Sequence, residues 1–145
     1  MNLSNVFALS ASGLAAQRLR MDVIAGNLAN ANSTATEEGG PYRRRDAILR
    51  AVPQDSEFHD LLAAAGTSVS AVEVSDVVSD QRAPRMTFDP GHPHANDDGY
   101  VATPNIDVVT EMVDLMGATR AYEANVAAIN ATKRVLETAL EIGQV

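Results

Sequence analysis

The chain has 145 residues and a formal net charge of −8, which argues against nucleic acid as a partner because phosphate neutralisation requires a basic surface. It contains no cysteine, so disulfides, zinc–thiolate sites and thiol nucleophiles are excluded. Aromatic residues make up only 4% and tryptophan is absent, so an enzyme domain with a bulky core is not expected. No stretch approaches the ~20 apolar residues of a membrane span, and the N-terminal residues lack the basic segment and apolar run of a secretory signal.

Residues 3–31 are predicted to form a long helix with one apolar seam. Stepping alternately by four and three residues from Leu3 gives mostly apolar positions, interrupted by Ser10 and Gln17. Gly13 and Gly26 each weaken this helix by roughly 1 kcal/mol relative to alanine, so it is expected to become ordered only when packed. The apolar seam positions assigned to an assembly interface are Leu3, Phe7, Leu14, Met21, Ile24 and Leu28.

The middle of the chain is predicted to be a small β-rich module with an acidic, solvated surface. A loop rich in Asn, Ser, Thr and Gly follows the first helix at residues 30–41. Residues 53–66 fit either a loop or a short helix. Four strands are predicted from alternation and from turn residues at their ends, at residues 42–52, 68–78, 85–89 and 100–102.

A loop that contains two histidines and three aspartates invites a metal interpretation. His92 and His94 lie close in sequence to Asp89, Asp97 and Asp98, and such side chains can bind a divalent cation. The same stretch holds two prolines and two glycines, and Asn, Asp and His are common in turns of that composition. We favour a structural turn, and no metal or other cofactor is expected.

Three consecutive arginines precede the first predicted strand. Arg43, Arg44 and Arg45 resemble a phosphate-binding cluster, but successive side chains of a strand point to opposite faces, so at most two share one face. Asp46 and the acidic surroundings offer ionic partners within the chain or on a neighbouring subunit. Ion pairing is therefore favoured over nucleic-acid or lipid contact.

No nucleophile motif is present. None of the serines lies in a Gly-x-Ser-x-Gly setting, and the glycine pair before Pro41 lacks the lysine of a phosphate-binding loop. Glu111, Asp114 and Glu123 are interpreted as the solvent face of the last helix. Enzymatic activity is therefore not expected.

Residues 105–142 are predicted to form one sustained helix around which the chain is organised. Asn105 is the expected N-cap and Gly143 the expected C-terminal stop. At ~1.5 Å per residue this helix is roughly 55 Å long, so a small domain cannot cover its seam and a partner is required. The alternative is that the helix packs only within its own molecule. The apolar seam positions assigned to the assembly interface are Val108, Met112, Leu115, Tyr122, Val126, Ile129, Leu136 and Leu140.

Together these elements predict an α+β fold in which long N- and C-terminal helices pair as a coiled-coil-like stalk that bears a small β-rich middle module. The expected boundaries are residues 1–34 and 105–145 for the helical part and 35–104 for the outer module. The two helices are expected to pair antiparallel and to leave seams for other subunits. Purified alone, the chain is expected to be a monomer with poorly ordered ends.

Several segments resemble the flagellar basal-body rod and hook protein family. The first helix is rich in small residues and ends in NLANANST, which is similar to the N-terminal signature of that family. Four further segments narrow the resemblance to proximal-rod members, namely GGPYRR, DPGHPHANDDGYV, PNIDVVTEMVDL and RAYEANVAAINATKRV. The residues that carry it are Asn27, Leu28, Ala29, Asn30, Asn32, Thr34, Gly40, Pro41, Tyr42, Asp89, Pro90, Gly91, His92, Pro93, Gly99, Tyr100, Tyr122, Glu123 and Asn125.

The resemblance implies a structural subunit of the bacterial flagellar rod, the tubular drive shaft that transmits torque from rotor to hook. It implies export by the flagellar type III apparatus without a cleaved signal peptide and assembly in the periplasmic part of the basal body. The implied partners are other proteins of the proximal rod, the distal rod and the rod base, together with copies of the chain itself. An alternative is a helical component or effector of another type III secretion system, against which NLANANST and DPGHPHANDDGY argue.

Overall fold

The computed structural model of the protein describes residues 3–53 and 70–142, with side chains from residue 6 onward. The ambiguous residues 54–66, the first two residues of the strand predicted at 68–78, the side chain of Leu3 and the helix stop at Gly143 lie outside the described residues. Two long helices flank four strands, which confirms the predicted α+β class. The elements are α1 Leu3–Ala29, β1 Arg45–Pro53, β2 Ser70–Ser79, β3 Arg85–Phe88, β4 Tyr100–Thr103 and α2 Val108–Ile142.

The two helices pack against each other in antiparallel orientation. Asn27 near the end of α1 meets Glu111 at the start of α2, whereas the Thr119 hydroxyl reaches the Met21 sulfur at 3.6 Å farther along. Gly13 lies directly against Asn125, because a Cβ built on Gly13 would approach the Asn125 amide nitrogen to 3.0 Å. The glycine that weakens α1 as an isolated helix thus allows the two backbones to approach closely.

The predicted seams lie only partly between the helices. In α1, Ile24 is buried and Phe7, Leu14, Met21 and Leu28 are half-buried. In α2, five seam residues are half-buried and three are exposed. The half-buried ones are Leu115, Tyr122, Val126, Ile129 and Leu136, and the exposed ones are Val108, Met112 and Leu140.

The start of α2 differs from the prediction. The helix begins at Val108 because Asp107 is the N-cap, not Asn105: the Asp107 carboxylate accepts a hydrogen bond from the Val109 amide at 2.9 Å. The first helix ends at Ala29, two residues before the predicted end, where the amides of Asn30 and Ala31 close a turn onto α1.

The four strands form two separate antiparallel pairs. β1 pairs with β2 from Arg45↔Ser79 to Pro53↔Ser70, and both strands lie against α1. Ser75 is the extra residue of a β-bulge, and its hydroxyl donates to the Ile48 carbonyl at 3.2 Å. The Val72 amide of β2 donates to the Ser12 hydroxyl of α1 at 3.2 Å, which ties this sheet to the helix pair.

β3 and β4 form a hairpin that leads directly into α2. Their register runs from Arg85↔Thr103 to Phe88↔Tyr100, and Val101 is the buried anchor of this hairpin. The predicted strands 85–89 and 100–102 are therefore confirmed to within one residue. Among the described residues, no helix is long and apolar enough to span a membrane.

Candidate functional site at the helix junction and the outer face of the second helix

Asn27 is the centre of a buried polar junction, which we define as Asn27, Tyr42, Arg44, Arg45 and Glu111. Its side chain is 0% exposed. The amide nitrogen donates to the Arg45 carbonyl at 2.8 Å and to the Glu111 carboxylate at 3.0 Å. The amide oxygen accepts from the Arg45 amide at 2.9 Å and from the Tyr42 hydroxyl at 3.2 Å. Both donors and both acceptor positions of this amide are therefore used, which is the condition for burying it without penalty.

Glu111 brings a buried carboxylate to the same junction. It is 1% exposed, and its second oxygen accepts from the Arg44 guanidinium at 2.6 Å. The prediction that Glu111 lies on the solvent face was wrong, because a guanidinium and an amide satisfy the carboxylate inside the fold. A buried carboxylate without these partners would cost several kcal/mol.

Arg44 confirms the ion-pair interpretation of the arginine triplet. Besides Glu111, its guanidinium lies 3.3 Å from the Asp46 carboxylate and 4.0 Å from that of Asp114. Partial burial lowers the pKa of Arg44, but the hydrogen bond and charge of Glu111, with a further contribution from Asp46, raise it more, so the pKa lies above its ordinary value. This guanidinium therefore remains charged whenever the junction is formed.

The other two arginines of the triplet make different contacts. The Arg43 guanidinium donates to the Asp80 carbonyl at 3.3 Å and to the Gln81 side chain at 3.4 Å. The Arg45 guanidinium lies 5.7 Å from the centre of the Tyr42 ring, within the range of a cation–π contact. For these two, the contacts observed are with backbone, amide and aromatic groups.

The motif residues after Asn27 fold the connection between α1 and β1. The Asn30 side chain donates to the Gly26 carbonyl at 2.9 Å and accepts from Ser33 at 3.1 Å. Gly39 and Gly40 have φ values of +86° and +79°, a conformation that favours glycine, and they close a turn in which the Gly40 carbonyl accepts from the Thr36 amide at 2.9 Å. The turn returns the chain to Tyr42 and so to the junction. The remaining motif positions of this stretch are half-buried at Leu28, Thr34 and Pro41 and exposed at Ala29 and Asn32.

The histidine-containing loop is the tip of the β3–β4 hairpin. The His92 ring nitrogen accepts from the His94 amide at 3.1 Å, and the His94 ring lies 2.9 Å from the Thr34 hydroxyl, which attaches the loop to the end of the first connection. Asn96 accepts from the Tyr100 amide at 2.8 Å, and the whole stretch consists of such turn contacts. The described residues hold no group of three or more His, Asp or Glu side chains arranged to bind a metal ion.

The base of this loop depends on one glycine. Gly99 has φ +80°, and a Cβ placed there would lie 3.0 Å from the Phe88 ring. Phe88 and Tyr100 stack edge to face with their centroids 5.3 Å apart. The motif residues Asp89, Pro90, Gly91 and Pro93 lie in the exposed turn beyond this stack.

The motif residues of α2 lie along the helix pair. Tyr122 is half-buried, and Glu123 is exposed, as predicted. The Asn125 side chain donates to the Ala121 carbonyl at 3.0 Å and covers Gly13 of α1. Tyr122 and Asn125 therefore contribute to pairing of the helices more than to any concave site.

An apolar surface covers the first turns of α2 on the side that faces away from α1. We call Val109, Met112, Val113 and Met116 the outer stripe; they are 52% to 71% exposed. Their spacing of three and four residues places them on one helical face, opposite the buried Glu111 and Ala118. Large exposed apolar patches mark interaction sites. Of the four, only Met112 belongs to the predicted interface.

The missed residues carried signals in the sequence. The first turns of α2 carry apolar residues on nearly every side of the helix. The sequence was therefore also consistent with a second apolar stripe beside the predicted seam. Glu111 and Asn27 gave no local sign of burial, because their partners lie 15 to 84 residues away in the chain.

Comparisons with known proteins agree with the resemblance noted from the sequence. A family model described as "Flagella basal body rod protein" matches residues 8–35, and one described as "Flagellar basal body rod FlgEFG protein C-terminal" matches residues 97–142. The chain is 44% identical to the flagellar basal-body rod protein FlgC of Bacillus subtilis, over 94% of this chain and 95% of that protein. It is 38% identical to FlgC of Salmonella typhimurium over 99% of this chain and 100% of that protein, and 37% identical to FlgC of Aquifex aeolicus over 97% of each. The chain therefore belongs to the family of flagellar basal-body rod proteins FlgC.

Proposed function

We propose that the protein is a structural subunit of the proximal part of the flagellar rod and that its helix pair packs against neighbouring subunits in the wall of a tubular shaft. The observation that carries this proposal is the outer stripe. An acidic protein that exposes four large apolar side chains on one helical face has a surface suited to burial against a partner. Membership of the FlgC family supports a rod subunit as the setting for that burial.

The junction supports a mechanical role in this shaft. Torque passes between subunits without slip only if each subunit resists deformation between its helices and its outer part. Glu111 and Asn27 join α1, α2 and the beginning of β1 through hydrogen bonds that are shielded from water. Charge-assisted hydrogen bonds that are shielded from water are stronger than exposed ones, so the β-rich middle module turns together with the helix pair.

The partners and location follow from the same role. We infer that the chain assembles with other rod proteins and copies of itself in the periplasmic part of the basal body. Passage through the flagellar type III export apparatus, without a cleaved signal peptide, would deliver it there. A structural subunit of this kind has no need of a cofactor or of catalysis.

The test is substitution within the outer stripe in cells that carry each variant as the only copy. Val113→Arg and Met116→Arg place a charge where the proposed contact excludes water, so completed rods and motility should fall at least tenfold while export of the subunit continues. Thr110→Arg is the matched control, because Thr110 is exposed on the same turns of α2 but lies off the stripe. Motile cells with complete basal bodies in both stripe variants would overturn the proposal.

A further inference from the structure

We propose that the outer stripe of one subunit packs against α1 of a second copy of this chain. The two helices in contact run antiparallel, and the contact joins two unlike faces. This inference rests on the proposed function and deepens it, because it names the neighbour and the two faces that meet. The receiving surface is the face of α1 that points away from α2. Its exposed positions at helical spacing are mostly alanine, and we call them the alanine face: Ala8, Ala11, Ala15, Ala25 and Ala29.

The two faces are complementary in shape. The outer stripe projects valine and methionine side chains, whereas the alanine face presents methyl groups, interrupted by Arg18 and Asp22, and leaves much of the α1 backbone accessible. Rows of large side chains on one helix pack into shallow grooves of another, and small residues permit the close approach that such packing needs. Two copies of the outer stripe facing each other would instead bring bulky side chains into collision.

The two faces lie on opposite sides of the helix pair. At about 100° per residue, the outer stripe lies roughly half a turn from Glu111 and Ala118, which are buried in the subunit. The alanine face likewise lies roughly half a turn from Ser10 and Ile24, which are also buried. Each subunit can therefore hold one neighbour on each side, and a contact between unlike faces continues into a ring or a helical array instead of closing as a dimer.

Charges select the relative direction of the two helices. Arg18 and Asp22 are exposed within the alanine face, and Arg120 and Glu123 are exposed in line with the outer stripe. An antiparallel arrangement sets Arg18 opposite Glu123 and Asp22 opposite Arg120. A parallel arrangement would oppose arginine with arginine and carboxylate with carboxylate. Within the described residues, none of these four side chains forms an ion pair in its own subunit.

The register of this contact is compatible with a shaft of equally oriented subunits. Because α1 and α2 are antiparallel within each subunit, α2 of one copy and α1 of an equally oriented neighbour are antiparallel too. Within the subunit, Met21 lies opposite Thr119. Pairing of Arg18 with Glu123 displaces the neighbour from that register by about one residue, or roughly 1.5 Å along the axis. The contact is therefore nearly lateral.

The expected area explains why one such contact is insufficient. Residues 109–131 span roughly 35 Å at ~1.5 Å per residue, and a helix is about 10 Å wide, so each partner buries on the order of 350 Å². Stable pairs usually bury about 800 Å² per partner. An isolated subunit should therefore stay monomeric, and the contact should persist only where several neighbours act together in the assembled rod.

Site-specific cross-linking tests the register, and the absence of cysteine from the chain makes it direct. Ala25 and Met116 lie opposite each other in the proposed contact but on opposite outer faces of one subunit. The double variant Ala25→Cys with Met116→Cys should therefore form bonds only between copies. In isolated basal bodies it should give a ladder of linked subunits at least tenfold stronger than the control pair Ala25→Cys with Ala131→Cys, whose second site lies on the same face about 22 Å away. Equal linking in both, or none in the first, would overturn the inference.

A charge exchange tests the pairing independently. Arg18→Glu and Glu123→Arg should each reduce the number of motile cells at least tenfold, and the double exchange should restore at least half of wild-type motility. Both residues are exposed, so circular dichroism of the purified variants should match wild type. If the unaltered chain fails to restore motility to cells that lack it, the proposed function fails. If it restores motility but the single exchanges are silent or the double exchange does not rescue, only the inferred contact fails.

Discussion

At one end of the helix pair, α1 ends and α2 begins around a buried polar junction, whereas toward the other end the helices approach closely at Gly13 and Asn125 and the last residues of α2 are exposed. Glu111 and Asn27 are almost entirely shielded from water at the first end. Toward the other end Gly13 and Asn125 mark the close approach, and α2 continues to an exposed Leu140 and Ile142. The difference indicates a subunit that fixes its own geometry at the junction and leaves the far end for neighbours to complete.

This contrast has a physical basis. Hydrogen bonds among fully buried groups are directional, so the junction permits only one arrangement of its three chain segments. The contact of Gly13 with the Asn125 side chain is a van der Waals contact and therefore non-directional, so the far end can adjust its packing. An assembly that requires identical subunits in slightly different surroundings benefits from having both kinds of contact.

The largest expected effect comes from removing the buried carboxylate. Glu111→Ala leaves the Arg44 guanidinium without its partner at 2.6 Å and deprives the Asn27 amide of one acceptor. The free energy of unfolding, measured by urea denaturation of the purified protein, should fall by about 3 to 5 kcal/mol. Glu123→Ala, an exposed glutamate on the same helix, should change it by less than about 0.5 kcal/mol. A loss below about 1 kcal/mol for Glu111→Ala would show that the junction does not stabilise the subunit.

The junction also shows where prediction from the sequence stops. The long helices and most strand boundaries follow from local periodicity and turn residues, which depend on neighbours in the chain. Burial of Glu111 depends on Arg44, 67 residues away, and an acidic residue in the first helical turn is equally consistent with a solvent-exposed position that favours the helix dipole. Nothing local distinguishes the two cases.

The outer stripe was missed for a different reason. One seam with steps of three and four residues was assigned to α2, and Val109, Val113 and Met116 lie beside it. Hydrophobic periodicity identifies that a helix has an apolar face, but where most of the circumference is apolar it does not identify which side meets α1. Only the positions of Glu111 and Ala118 in the fold separate the inner side of α2 from the outer.

A smaller effect should follow from filling the close approach toward the far end. In Gly13→Val the added Cβ would lie 3.0 Å from the Asn125 amide nitrogen and 3.1 Å from its oxygen, so the Asn125 side chain or the helices must shift. The free energy of unfolding should fall by about 1 to 3 kcal/mol. Gly117→Val is the matched control, since no atom lies within 4 Å of that Cβ.

The same variant tests whether the far end can adjust. Adding Asn125→Ala to Gly13→Val removes the atoms that collide, so the double variant should recover at least half of the lost stability. If Gly13→Val alone is as stable as wild type, the helices can already shift at this position without loss of stability. The difference in rigidity between this end and the junction is then larger than proposed. If Asn125→Ala gives no recovery, the strain arises in the helix backbone and not between the helices.

The smallest effect is expected for the Arg82–Asp80 ion pair, which joins a guanidinium to a carboxylate as in the junction but lies outside it. The hydrogen bonds and charge of Arg82 lower the pKa of Asp80 from 3.8 to about 2. Because the folded pKa lies below the ordinary value, the ionised carboxylate stabilises the fold above about pH 3.8, and this contribution is lost as the pH falls toward about 2. Arg82→Ala should raise the pKa of Asp80, measured by NMR titration, toward its ordinary value, because the guanidinium is lost while the backbone amide of residue 82 still donates to the carboxylate. The urea midpoint at pH 7 should nevertheless stay within experimental error, because the Arg82 side chain is 70% exposed and ion pairs screened by water contribute little to stability. A shift of that midpoint as large as the one caused by Glu111→Ala would show that charge alone, and not burial, gives the junction its strength.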